Sequence, residues 1–191
     1  MDAGSWRRSV PVRDAAQYDA RVDRPTVTLR ALTDANRDAV LALAVAPEQE
    51  RFVGSVAGAL EDAADYPHAN PWYRVIYADD APVGFVMLSW NCVPVPGEII
   101  GPWFLWKLLI DHRHQGRGYG GATVRLVASI VREAGATELL TSHVEGAGEP
   151  RPFYERLGFR PTGERDNEGE PVLSLPLVET PTHRSAARRQ D

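Results

Sequence analysis

The segment Ile110 to Gly121 reads I-D-H-R-H-Q-G-R-G-Y-G-G. It joins the apolar run Phe104 to Ile110 to a stretch in which Val124, Val127, Ile130 and Val131 recur every three or four residues. The first flank predicts a strand covered on both faces, since only Lys107 interrupts its apolar character. The second predicts an amphipathic helix from Gly116 to about Glu133, with Gly135 beyond its end. A glycine-rich strand-to-helix junction lets backbone N–H groups approach an anion closely, and the helix start adds unpaired donors and the positive end of its dipole. Arg113 and Arg117 add charge suited to a pyrophosphate or 3′-phosphate. A plain tight turn would not require so many glycines beside two arginines. Gly116, Gly118 and Gly121 also satisfy the G-x-G-x-x-G dinucleotide pattern, with Glu145 as a ribose acid. That fold closes its turn directly after its first strand, however, whereas Asp111 to Gln115 intervene here and too little chain follows.

The rest of the chain supplies a sheet for this junction. Thr26 to Ala31 alternates like a strand, and Thr33 offers its hydroxyl as cap to a helix holding Val40, Leu41, Leu43 and Ala44, ended by Pro47. A second helix is expected over Val56 to Ala64, with Leu60 inward. Trp72 to Ala78 and Val83 to Trp90 flank the turn-forming Asp79-Asp80-Ala81-Pro82 and predict an antiparallel hairpin. Glu138 to Val144 reads as strand and Pro150 to Leu157 as a short helix stopped by Gly158. Phe159 onward and Val172 to Leu177 give two last strands around a polar turn with Asp166, Asn167 and Gly169. The fold class is α/β, a mixed central sheet with helices on both faces, in the order β-α-α-β-β-β-α-β-α-β-β. One domain is expected over residues 25–177, with a disordered tail at 1–24 and a second tail at 178–191.

Composition narrows the function classes. A net charge of −5 argues against general affinity for nucleic acid. Cys92 is the single cysteine, so no intrachain disulfide can form and a reducing compartment is the simpler expectation. The first twenty residues lack an apolar h-region and no later run is long enough for a membrane span, so cytoplasmic residence and no membrane partner are expected.

The junction L-I-D-H-R-H-Q-G-R-G-Y-G resembles the Q/R-x-x-G-x-G/A cofactor motif of the GCN5-related N-acetyltransferase (GNAT) family. The block Phe153-Tyr154-Glu155-Arg156-Leu157-Gly158-Phe159 resembles that family's F-Y-x-x-x-G-F signature. The likeness covers about residues 26 to 177, and P-E-Q-x-x-F-V at Pro47 to Val53 is similar to bacterial diamine and polyamine acetyltransferases. The resemblance implies a GNAT-like fold, acetyl-CoA as acyl donor, no metal, and a cofactor site formed by Leu109, Ile110, Gln115, Gly116, Arg117, Gly118, Tyr119, Gly120 and Gly121. In the implied geometry the strand ending at Ile110 splays from Glu138 to Val144, and pantetheine pairs there with main-chain groups. An N–H of Leu109 or Ile110 then polarises the thioester carbonyl, an effect worth about 3 kcal/mol in comparable sites.

The implied chemistry is direct attack by an amine, with Tyr154 as general acid and no enzyme nucleophile. An alkylamine with a pKa near ~10 must lose a proton first. Relatives often place a Glu in the central strand, where this chain has Phe104, Leu105 and Trp106, so Glu50, Glu98, Asp80 and His143 stand as candidate bases. Ala147 stands near where relatives carry an Asn that bonds the cofactor. Trp103 is a pocket candidate, and Glu48, Glu50, Glu61 and Asp62 suit a cationic acceptor such as a diamine, a polyamine or an amine-bearing antibiotic. A non-catalytic acyl-CoA sensor is the competing class. An exposed sheet edge or the apolar C-terminal strand offers a surface for a homodimer.

Overall fold

The computed structural model describes residues 26–96 and 101–178. Both expected tails, apart from Val178, and the candidate Glu98 lie outside the described residues. The elements are β1 (Thr28–Arg30), α1 (Arg37–Leu41), α2 (Glu50–Val53), α3 (Val56–Asp65), β2 (Pro71–Ala78), β3 (Ala81–Trp90), β4 (Trp103–Ile110), α4 (Tyr119–Glu133), β5 (Glu138–Ser142), α5 (Arg151–Arg156), β6 (Arg160–Arg165) and β7 (Pro171–Pro176). The strands form one seven-stranded sheet in the order β1-β2-β3-β4-β5-β7-β6, parallel between β4 and β5 and antiparallel elsewhere.

The sheet is apolar on both faces because each face has its own helices. On one side Val124, Val127 and Val131 of α4 meet Val86, Leu88, Leu105, Leu139, Phe159 and Leu173. On the other, Val40 of α1 and Val56, Ala59 and Ala63 of α3 meet Val75, Phe85, Met87 and Leu109. β3 therefore feeds alternate side chains to opposite cores. Its pairing with β2 skips Val83, so the alternation resets there and Val83 joins the α4 side. Each fully buried Val of α4 is worth roughly 1.5–3 kcal/mol, so a charge at Val127 would break the helix's attachment.

Three expectations change. Thr33 does not cap the first helix. Asn36 takes over locally, its side-chain oxygen accepting from the Thr33 N–H at 2.8 Å and its amide donating to the Ala31 carbonyl at 3.0 Å, so α1 starts at Arg37 and leaves Leu43 and Ala44 outside it. Pro47 does not lead straight to the next long helix, because Pro47–Gln49 form a 3-10 turn that runs into α2, an element absent from the expected order. The apolar C-terminal strand β7 lies between β5 and β6, so it is no edge; the outer strand at that end of the sheet is β6, exposed along its length and broken by Pro161 and Gly163. Among the described residues, no helix is long and apolar enough to cross a membrane.

Candidate active site

The glycine loop owes its shape to backbone requirements at two places. Gly118 caps α4 with φ of 81°, a left-handed conformation that a side chain would strain. Gly120 lies under α5, where a Cβ would meet the Phe153 ring at 3.3 Å. The loop is braced from below by Asp111, whose buried carboxylate accepts from the Arg113 side chain at 2.8 and 3.0 Å, from the Arg113 N–H at 3.0 Å and from the Ala44 N–H at 3.1 Å. The Arg113 guanidinium beside it holds the Asp111 carboxyl well below the usual carboxylate range. Arg113 is thus committed to Asp111 rather than free for a phosphate. Arg117 reaches back to the Arg113 carbonyl at 3.4 Å and does not line the cleft above the loop.

That cleft, about 530 Å³, is lined by Ile110, Gln115, Gly116, Gly118, Tyr119, Gly120 and Gly121 on one wall and by Pro152, Phe153, Tyr154 and Arg156 on the other. It exists because β4 leaves β5. The two strands share a single register pair, Phe104 with Leu140, and β4 then continues to Ile110 without a strand partner on that side among the described residues. Leu105 pairs with Leu88 and Lys107 with Met87, so Trp106 is the extra residue of a bulge, and bulges bend their strand. The Asp111 N–H donates to the Val83 carbonyl at 2.9 Å, and antiparallel alternation then turns the polar groups of Leu109 toward β3 and those of Leu108 and Ile110 toward the gap. Leu108 and Ile110 line the cleft, whereas Leu109 is buried beneath it. Leu108 escaped the sequence reading because strand parity depends on the bulge.

An open main-chain edge, a glycine cradle with nothing within 4 Å of a Cβ at Gly116, and a helix start fit an extended arm ending in phosphates. Arg156, in the last turn of α5, is the cation of this cleft that the sequence reading passed over, although it sits inside the F-Y-E-R-L-G-F block. Tyr154 combines cleft and core. Its ring meets Phe153 and Phe159 edge-on, and burial pushes its phenol up to about 12 against a weaker lowering influence of the neighbouring Thr141 hydroxyl. Thr141 itself donates to the Leu105 carbonyl at 2.9 Å, which ties the two strands where they begin to part.

A second cleft of about 450 Å³ opens on the other side of the split, lined by Glu50, Asp62, Asp166, Glu168 and Glu170 together with Arg51, Tyr66, Lys107 and Ser142. The two clefts share Phe52, Val53, Trp106 and Ser142. Of the acidic residues singled out from the sequence, Glu50 and Asp62 line this cleft and Glu48 and Glu61 do not. Asp62 is paired with Lys107 at 3.1 Å. Asp166, Glu168 and Glu170 belong to the stretch that reads in sequence as a polar turn, though D-N-E-G-E carries three carboxylates in five residues. Trp106, not Trp103, reaches the clefts, because Trp103 is buried edge-on against Trp90. Asp80 sits at the β2–β3 hairpin tip beside Arg30, away from both clefts. His143 is buried after β5, its Nδ1 3.7 Å from Glu149 and its Nε2 without a hydrogen-bond partner among the described residues. The Ala147 carbonyl accepts from the Arg51 guanidinium, so the loop before α5 is clasped to α2.

Residues 67–161 match the acetyltransferase (GNAT) domain family. A spermine/spermidine N(1)-acetyltransferase of Bacillus subtilis is 30% identical over 149 residues, 78% of this chain and 97% of the relative. Among solved structures, a GNAT family N-acetyltransferase from Escherichia coli in complex with CoA superposes with a TM-score of 0.58 at 21% identity, covering 81% of this chain and 82% of the other. The PaiA N-acetyltransferase from Thermoplasma acidophilum, in complex with coenzyme A, gives 0.53 at 15% identity, covering 79% and 99%.

Proposed function

The chain belongs to the GNAT family of acetyltransferases, and from that premise we propose that it moves acetyl to a primary amine of a small polycationic molecule by direct attack, in the cytoplasm, with residues 25–177 as the acyltransferase domain. Acetyl-CoA is the acyl donor and supplies a thioester-activated acetyl group. The observation that carries the reading is the meeting of two clefts at Phe52, Val53, Trp106 and Ser142, one built around a phosphate-type glycine loop and the other around carboxylates. The name of the Bacillus relative supports a polyamine acceptor.

In this reading the N–H groups at the start of α4 and the Gly116–Gly121 backbone hold phosphates, with Arg156 adding charge. Main-chain groups of Leu108 and Ile110 pair with the extended arm, and an N–H among them faces the developing negative charge of the acyl oxygen. Tyr154, kept protonated by burial, donates to the leaving sulfur. Phe52 and Trp106 exclude water at the junction.

The test is thiol release from acetyl-CoA with a panel of spermidine, spermine, a short diamine, a monoamine and an aminoglycoside. Turnover with the polyamines well above the monoamine is expected. Coenzyme A binding without thiol release for any amine would instead favour a sensor.

A further inference from the structure

Resting on the reading above, we propose that Glu170 is the general base, taking the proton from the acceptor nitrogen at the junction of the two clefts while the Ser142 hydroxyl holds its carboxylate in place. Of the carboxylates that line the acidic cleft, Asp62 is neutralised by Lys107 at 3.1 Å. Asp166 spends an oxygen on its own turn, accepting from the N–H of Glu168 at 3.0 Å and of Glu170 at 2.8 Å. Glu50 and Glu168 are exposed. Glu170 alone in that set is both half-buried and bonded to a residue that lines both clefts, its Oε2 accepting from Ser142 Oγ at 3.2 Å.

The placement follows from the sheet. Ser142 pairs with Val172, so Glu170 stands just before the neighbouring strand, pinned by the turn in which the Asp166 N–H donates to its carbonyl at 3.0 Å. One residue back along β5, Thr141 lines the glycine-loop cleft together with Tyr154. Successive residues of one strand therefore stand beside the proposed acid on the glycine-loop side and hold the proposed base on the carboxylate side. Burial first, then the Asp166 and Glu168 charges, push the Glu170 carboxyl above its ordinary range, and Ser142 and His143 act in the opposite direction. Across the cleft stand Glu50, Arg51, Asp62 and Lys107, and the Arg165–Glu145 pair flanks the turn. A carboxylate raised in this way holds a proton more strongly than a surface one, which suits a base.

Glu170 takes one proton from the acceptor ammonium and passes it to solvent. The freed lone pair forms the N–C bond as the C–S bond breaks, Tyr154 gives its proton to the departing sulfur, and the second proton lost by nitrogen restores the phenol.

The experiment uses the full chain and its E170Q variant with spermidine. At pH 7 kcat/KM should fall about a hundredfold, and the defect should shrink below about tenfold near pH 10, where the acceptor has already lost its proton. Thermal protection by coenzyme A should persist. In ¹³C-carboxyl NMR of the protein without acetyl-CoA, a Glu signal titrating above the ordinary range should vanish in E170Q. S142A is the second variant: loss of the bond that favours the charged form should move the acidic limb of the wild-type rate profile to higher pH. A wild-type rate in E170Q, or a defect independent of pH, overturns the Glu170 assignment alone. An unmoved limb in S142A overturns the anchoring. Absence of wild-type turnover with every amine overturns the functional reading and the base with it.

Discussion

The two clefts are made of different parts of the polypeptide. The glycine-loop cleft is largely backbone, an unpartnered edge of β4 and the first turn of α4, supplied by chain between residues 108 and 121 and closed by α5. The carboxylate cleft is side chains, carried by α2, α3, β4, β5 and the β6–β7 turn. A site of backbone donors depends on conformation, so it should fail abruptly when a dihedral angle becomes impossible. A site whose charges are spread over four of these elements should respond by degrees, one charge at a time and with sensitivity to salt.

The sharpest way to break that contrast is Gly118→Val. A β-branched residue at φ of 81° is strained, by roughly 1–3 kcal/mol, and the strain falls on the N-cap of α4. Thermal protection by acetyl-CoA, expected in the wild type through preferential binding to the native state, should disappear along with turnover. An equal melting shift in both proteins would show that the loop is not where acetyl-CoA binds. Next in size is Tyr154→Phe, for which turnover at saturating acetyl-CoA should fall between about ten- and a thousandfold, with little change in acetyl-CoA affinity. The range is wide because a thiolate partly tolerates leaving unprotonated. Since burial holds the phenol at about 12, the wild-type rate should show no alkaline loss from this group below about pH 11. Wild-type turnover in the variant would leave Tyr154 as a core residue between Phe153 and Phe159.

The same contrast explains what could be read before the fold was known. The glycine loop and the F-Y-E-R-L-G-F block are contiguous, so spacing alone exposes them. α4 and the β2–β3 hairpin were legible because apolar period and turn chemistry are local. Trp106, Leu108 and Ser142 were not, because their roles depend on one bulged residue and on strands 36 positions apart meeting at Phe104 and Leu140. The acidic turn at Asp166 to Glu170 reads as solvated loop until β7 is known to lie beside β5. Asn36 over Thr33, and Arg113 turning to Asp111, are competitions between neighbouring side chains that composition cannot decide.

A stability prediction separates the loop's brace from its binding surface. Asp111→Asn removes the charge that organises the Arg113 and Ala44 N–H groups and should cost about 1–2 kcal/mol at neutral pH, with the exposure of Arg113 keeping the figure modest. The folded-state pKa of Asp111 is depressed. Its contribution is therefore fully present above the unfolded value of about 3.9 and is lost progressively as pH falls from there through the depressed folded-state value. Wild type and variant should differ by a constant margin from pH 5 to 8, and in chemical denaturation the margin should begin to shrink below about pH 4 and go on shrinking into strong acid. A margin that stays constant as pH falls from 5 into strong acid would mean that shape, not charge, holds the loop.

The smallest effect belongs to the rim of the carboxylate cleft. Glu168 is exposed and lines it, so its attraction for an approaching cation is screened and amounts to well under about 1 kcal/mol. Glu168→Gln should raise KM for spermidine about two- to threefold at low salt and leave kcat unchanged, because the charge acts equally before and during the reaction. The increase should disappear in about 0.5 M salt, where the screening length is only a few ångströms. A monoamine acceptor, with one charge to place, should show little change at any salt. A salt-independent rise in KM, or a fall in kcat, would mean that Glu168 shapes the turn carrying Glu170 rather than steering the acceptor, and the carboxylate cleft would then share the conformational fragility of its neighbour.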